Sequence, residues 1–260
     1  MRTLRKIPMV QKAVRRKRNG SRNRNHVAEV YNIENGKPMD ISGYAKPEQK
    51  KLIAKNQEQS TYINSLKNHT VTVCLGSIGS GKTFIPSVLA GNALTDKSSG
   101  IKKVILIRPN EPLGKSLGML PGDLKEKLKP WLAPIADGVQ YAVGKGFYEY
   151  AVESEKVEYL AVEHVRGRTF NDAYVIVDEA QNLSVEAMVA ILTRIGENCK
   201  MAICGDIAQK DIKGESGLGM LKKLSEDYDY LPYNIVELTE CVRSKEAAAF
   251  LSVFQQEGLL

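Results

Sequence analysis

Apolar positions fall in short runs between polar, glycine-bearing turns, and their spacing alternates between a helical and an extended period. From 46 to 68, KPEQKKLIAKNQEQSTYINSLKN predicts a helix with Leu52, Ile53, Tyr62, Ile63 and Leu66 available for one face. The β-branched run TVTVCLG (70–76) reads as a strand, followed by a helix from about Lys82, a loop with Gly100 and a second strand, KVILIR (103–108). Residues 109–165 are punctuated by Gly and Pro, and one helix is expected there, over 122–130. AYVIVDEA (173–180) is continuously apolar before its acids, as a strand buried on both faces should be. A helix at 184–195, strands KMAICG (200–205) and YNIVELT (233–239), and a helix at 244–256 complete the pattern.

Strands alternating with helices imply an α/β fold, with a mostly parallel sheet sandwiched by helices through right-handed crossovers. No internal repeat interrupts it. One domain over 46–260 is expected, preceded by an arm over 1–45 that NGKP and SGYAKP break into flexible chain.

Charge changes this picture only at the N-terminus. The net charge is +7, but residues 1–26 hold ten Lys or Arg and no acid, so subtracting ten leaves −3 for the rest. Such a basic arm either engages a phosphate backbone without sequence preference or is simply solvated. The four cysteines (Cys74, Cys199, Cys204, Cys241) show no zinc spacing and are expected to be reduced, structural thiols. No apolar stretch is long enough for a membrane span, and no signal-like h-region follows the basic start, so a cytoplasmic protein without a membrane partner is expected.

The candidate chemistry begins at GSIGSGKT (76–83), which completes G-x-x-x-x-G-K-[ST] between a predicted strand and a predicted helix. The loop Gly76, Ser77, Ile78, Gly79, Ser80, Gly81, Lys82 and Thr83 is expected to bind nucleotide. Its glycines let backbone N–H groups wrap phosphates, Lys82 reaches the β- and γ-phosphates, and the Thr83 hydroxyl ligates Mg2+. In YVIVDEA, Asp178 at the strand end is placed to hold magnesium through water, and Glu179 is the candidate base for the attacking water. An acid pair at a buried strand end is costly without a metal and phosphate partner. Asp-Glu at this point favours hydrolysis over phosphate transfer to a small substrate. In CGDIAQKD (204–211), Gln209 is placed to sense the γ-phosphate or orient water, with Asp206 orienting the strand end.

These blocks together resemble the PhoH-like ATPase family, a relative of superfamily 1 helicases. The resemblance also rests on RPNEPLGKSLGMLPGDLKEKLKPWLAPI (108–135), RGRTFNDAYVIVDEAQN (166–182), LTRIGENCKMAICGDIAQKDI (192–212) and ECVRS (240–244), and covers roughly 55–250. It implies a RecA-like P-loop core that hydrolyses ATP with Mg2+, with links to RNA metabolism. Carried over by position, Gln59 and Tyr62 would read adenine, one with an amide and the other with a ring. Arg108 and Arg168 lie in motifs that in helicase relatives face nucleic acid or phosphate; with Arg166 and Arg194 they become candidates for contact with single-stranded RNA or DNA, and Arg243 is the candidate arginine finger. The loop departs from the family's usual proline and alanine early in the motif. The arm lies outside the pattern and is compatible with a phage-encoded stand-alone version, whose compartment would be the host cytoplasm.

One P-loop in about 200 residues of core leaves the opposite wall of a two-domain motor cleft to be supplied. The sequence-based expectation is therefore a homo-oligomeric ring, hexameric by preference, in which a neighbour's arginine completes the site. The alternative is an ATP-dependent switch or scaffold in RNA processing without motor activity.

Overall fold

The structure, a computed structural model, describes residues 50–109 and 124–258. The expected arm and the LGMLPGD part of the 108–135 block lie outside the described residues. The elements are α1 (Gln57–Asn68), β1 (Val71–Gly76), α2 (Phe84–Thr95), β2 (Lys103–Arg108), α3 (Leu124–Val143), α4 (Lys145–Glu153) and β3 (Val157–Ala161). They continue with β4 (Ala173–Val177), α5 (Val185–Leu192), β5 (Lys200–Gly205), α6 (Gly217–Asp227), β6 (Tyr233–Leu238) and α7 (Lys245–Gln256). The strands form one sheet, β3-β2-β4-β5-β1-β6, every neighbouring pair parallel.

Alternation along the strands explains why helices cover both faces. Val104 and Leu106 of β2 pack with Tyr62, Ile85, Val88 and Val139 on one side. Ile105 and Ile107 pack with Phe170, Met188, Ile191 and Leu221 on the other. With both faces buried, the strands must be apolar throughout, which is how β1, β2, β4 and β5 read in the sequence. This is the RecA-like α/β architecture of a P-loop NTPase, and it brings the ends of β1, β4 and β5 to one carboxyl edge.

Several elements differ from the sequence pattern. Helix α1 begins only at Gln57, because the Asn56 side chain accepts a hydrogen bond from Gln59 N at 2.8 Å and caps it there. Leu52 and Ile53 therefore precede the helix rather than sharing its face. Helix α3 runs to Val143 despite Pro130 and Pro134, two residues that locally signal a stop. Its buried Leu132, Ile135, Val139 and Ala142 join the core. It approaches α2 so closely that a Cβ on Gly138 would lie 2.5 Å from Ser87 Cβ, and one on Gly91 2.9 Å from Ala142 Cβ. Tertiary packing outweighs local propensity here. Strand β3 and helices α4 and α6 are not marked by the sequence pattern and are added by the structure.

Candidate nucleotide site

A cleft of ≈ 670 Å³ opens along the carboxyl edge. The phosphate loop forms its floor. Gly79 and Gly81 take φ of +78° and +92°, conformations that glycine adopts without a Cβ penalty. A side chain on Gly76 would meet Ser80 Oγ at 2.7 Å, so all three glycines are required by geometry. Ile78, Gly79, Gly81, Lys82 and Thr83 line the cleft. Ser77 and Ser80 brace the loop instead: Ser77 N donates to Leu238 O at 3.1 Å, and Ser80 Oγ to Ser77 O at 2.9 Å.

Two expected base readers part company. Gln59 is buried at the cleft wall, its Nε2 donating to Ser80 O at 2.9 Å and its Oε1 accepting from Lys55 N at 2.9 Å. Tyr62, expected to stack on adenine, is fully buried behind the loop, where its hydroxyl donates to Lys82 O at 3.0 Å. Its ring belongs to the core and is closed to any ligand, so that expectation is corrected. It packs beside Cys204, whose thiol donates to the same Lys82 oxygen at 3.1 Å. Burial pushes the Cys74 thiol up to about 12 and Cys199 to about 11, and all four cysteines are free, as structural thiols should be.

Opposite the loop stand the acids. Asp178 is 3% exposed and accepts from Thr83 Oγ1 at 2.7 Å. Burial holds its carboxyl above the usual range, against the Thr83 hydrogen bond that lowers it. The pair fits magnesium: an undercompensated buried carboxylate touches a hydroxyl, two hard oxygens that leave other positions to water and phosphate. Glu179 follows at φ +51°, ψ +40°, a left-handed conformation uncommon outside glycine and costly by about 1–3 kcal/mol. That turn ends β4 and aims the carboxylate into the cleft.

Arg108, at the end of β2, lies 4.0 Å from Asp178 and 3.8 Å from Glu179. Of the two partners expected for it, nucleic acid or phosphate, this place beside the acid pair favours phosphate. The signal was available: in parallel sheets, ligand contacts gather at the carboxyl ends of strands. Arg168 pairs with Glu158 at 3.0 Å, near the start of β3 and thus toward the opposite edge of the sheet. Arg166 is exposed, Arg194 is half-buried beside Thr193, and neither lines the cleft.

Gln209 and Arg243 complete the lining. Gln209 ends a short turn capped by Asp206, whose side chain accepts from Ala208 N at 3.0 Å. Arg243 lies against its own loop: a Cβ on Gly79 would meet its Cγ at 2.8 Å and Cδ at 2.9 Å. The segment carrying it is clasped by the start of α1. Lys55 Nζ donates to Val242 O at 3.1 Å, and Glu58 accepts from Thr239 N at 2.8 Å. The Thr239 side-chain hydrogen bond, with backbone ones, draws the Glu58 carboxyl below its usual range. Sequence reasoning did not find this clasp; Gln181, read there as the start of the helix after the acids, where coupling to a bound strand could be transmitted, joins Glu179 to the end of β5.

A family model described as PhoH-like protein matches residues 51–255. Among curated relatives, a PhoH-like protein of Bacillus subtilis is 38% identical over 211 residues, covering 80% of this chain and 66% of that protein. One from Synechocystis is 36% identical over 192 residues, covering 73% and 58%. Protein PhoH of Escherichia coli is 34% identical over 197 residues, covering 74% and 55%. The chain thus spans somewhat over half the length of these relatives. Among solved structures, similarity is loose: Pif1 helicase from Candida albicans at TM-score 0.40 and 15% identity, covering 78% of this chain and 44% of that one. The UvsW helicase of bacteriophage T4 stands at 0.43 and 13%, covering 74% and 62%.

Proposed function

The chain belongs to the PhoH-like protein family, and from that premise we propose that it is a magnesium-dependent ATPase acting on single-stranded nucleic acid, RNA by preference. The observation that carries the hydrolytic part is the convergence of Lys82, Thr83, Asp178, Glu179, Gln209 and Arg243 on one cleft. Lys82 and the loop N–H groups hold the triphosphate. Glu179 takes the proton of a water whose oxygen attacks the γ-phosphorus, while the bond to the β-bridging oxygen breaks and ADP leaves with its electrons. Thr83 and Asp178 would hold Mg2+, which when bound would supply positive charge to the phosphate oxygens. Arg243 and Arg108 face the phosphate end and stabilise charge developing there.

Gln59 supports adenine over guanine. After its two protein hydrogen bonds it retains one N–H and one carbonyl lone pair. That donor–acceptor pair matches adenine N7 and N6, whereas guanine presents two acceptors, N7 and O6.

Nucleic-acid contact rests on the basic arm, with Arg166, Arg168 and Arg194 as further candidates, and a hexameric ring that translocates or unwinds is the motor form of this reading. A second reading, an ATP-dependent switch or scaffold in RNA processing, is favoured by one observation: Arg243 already lies over its own phosphate loop, so one chain supplies its own arginine. ATPase rates with a panel of RNA and DNA strands, alongside light scattering, separate them. Strand-stimulated turnover by a ring supports the motor; an unstimulated monomer at full activity contradicts it. Deleting residues 1–26 is expected to make nucleic-acid binding weaker and less salt-dependent.

A further inference from the structure

Besides the phosphate loop and the acids at the strand ends, the cleft is lined by Leu52, Ile53, Phe84 and Pro134, together with Asp137. Ile53 is 75% exposed and Phe84 38%, large apolar side chains left open to water beside a phosphate site. Phe84 is nevertheless held in place. Tyr141 meets its ring edge-on, centroids 5.8 Å apart at 61°, and Lys50 Nζ sits 5.1 Å over the Tyr141 ring. Helix α3 closes on the Phe84 backbone, whose carbonyl oxygen lies 2.9 Å from where a Gly138 Cβ would stand. A braced aromatic ring one residue past the phosphate-binding Thr83 thus remains open to the cleft.

Resting on the ATPase reading above, we propose that Ile53 and Phe84 form the nucleobase seat of this protein. Phe84 offers the ring on which the base stacks and Ile53 an aliphatic cover, both lining the same cleft as Gln59. The seat takes over the role that Tyr62, buried behind the loop, cannot fill. Tyr141 is a positioning residue that keeps the Phe84 ring in place.

The test compares affinities of the full chain for Mg–ATP and Mg–tripolyphosphate, which share the phosphates and differ in the nucleoside. Phe84→Ala is expected to weaken Mg–ATP about tenfold or more, the usual scale of lost base stacking, while tripolyphosphate stays within about twofold of wild type. Phe84→Tyr is expected to restore ATP affinity, and Ile53→Ser to weaken ATP selectively by a smaller factor. Retained tripolyphosphate binding also reports that each variant is folded. Equal loss of both ligands, or loss of neither, overturns the seat. A wild-type chain that binds neither ligand overturns the ATPase reading itself.

Discussion

Gln181 Nε2 donates to Glu179 Oε2 at 2.6 Å, and its Oε1 accepts from Asp206 N at 3.1 Å. One buried amide therefore fixes the carboxylate proposed as base and ties it to the end of β5, where Gln209 begins its approach to the cleft. The packing admits no slack, since a Cβ on Gly205 would stand 2.6 Å from Gln181 Oε1. Gln181→Ala should lower kcat roughly 10–100-fold, as loss of an outer-shell partner does, and leave the ATP dissociation constant nearly unchanged. Steady-state kinetics beside equilibrium binding checks this; a rise in dissociation constant with kcat intact would contradict it.

The buried carboxylate of Asp178, proposed to hold magnesium, opposes folding while it is charged. Its folded carboxyl value is raised by burial, so just above the unfolded value of about 3.9 the folded state holds more protons than the unfolded one. The contribution is greatest at low pH and is lost as pH rises through the raised folded value. Asp178→Asn should therefore raise Tm at pH 7.5, in the absence of nucleotide, by about 2–4 °C, the shift that ~1 kcal/mol gives a domain of this size. It should also flatten the pH dependence and abolish magnesium-dependent turnover. Thermal melts across pH 5–8 read it out, and a lowered Tm would go against the account.

Arg243 packs on Gly79 of its own chain, the contact expected of an arginine that acts in cis. Arg243→Ala should slow hydrolysis by about 10²-fold or more. Mixing Arg243→Ala with Lys82→Ala subunits should restore nothing, because neither chain then holds a complete site. Recovered activity in the mixture would place the arginine in trans.

What the sequence made legible follows from how much local chemistry each part carries. GSIGSGKT and DEAQ declare themselves because glycine, lysine and paired acids have few other reasons to follow an apolar strand. Central strands declare themselves because both faces are buried. Strand β3 does not, since at the sheet edge VEYLA buries only Val157 and Leu160. Helix α6 opens with Gly217 and Gly219, which read as loop. Gly217 is in fact the contact that lets α6 approach α5, a Cβ there falling 2.5 Å from Met188 Cβ. The burial of Tyr62 was not legible, because periodicity gives the face of an element, not which neighbour a side chain meets across the fold.

The central claim is that Glu179 activates water on ATP held by this loop. Single-turnover phosphate release from Mg–ATP, measured for wild type and Glu179→Gln with matched ATP affinities, tests it most directly. The variant should bind ATP as wild type does yet release phosphate about 10²–10⁴-fold more slowly. Release at the wild-type rate would contradict it and move the base elsewhere.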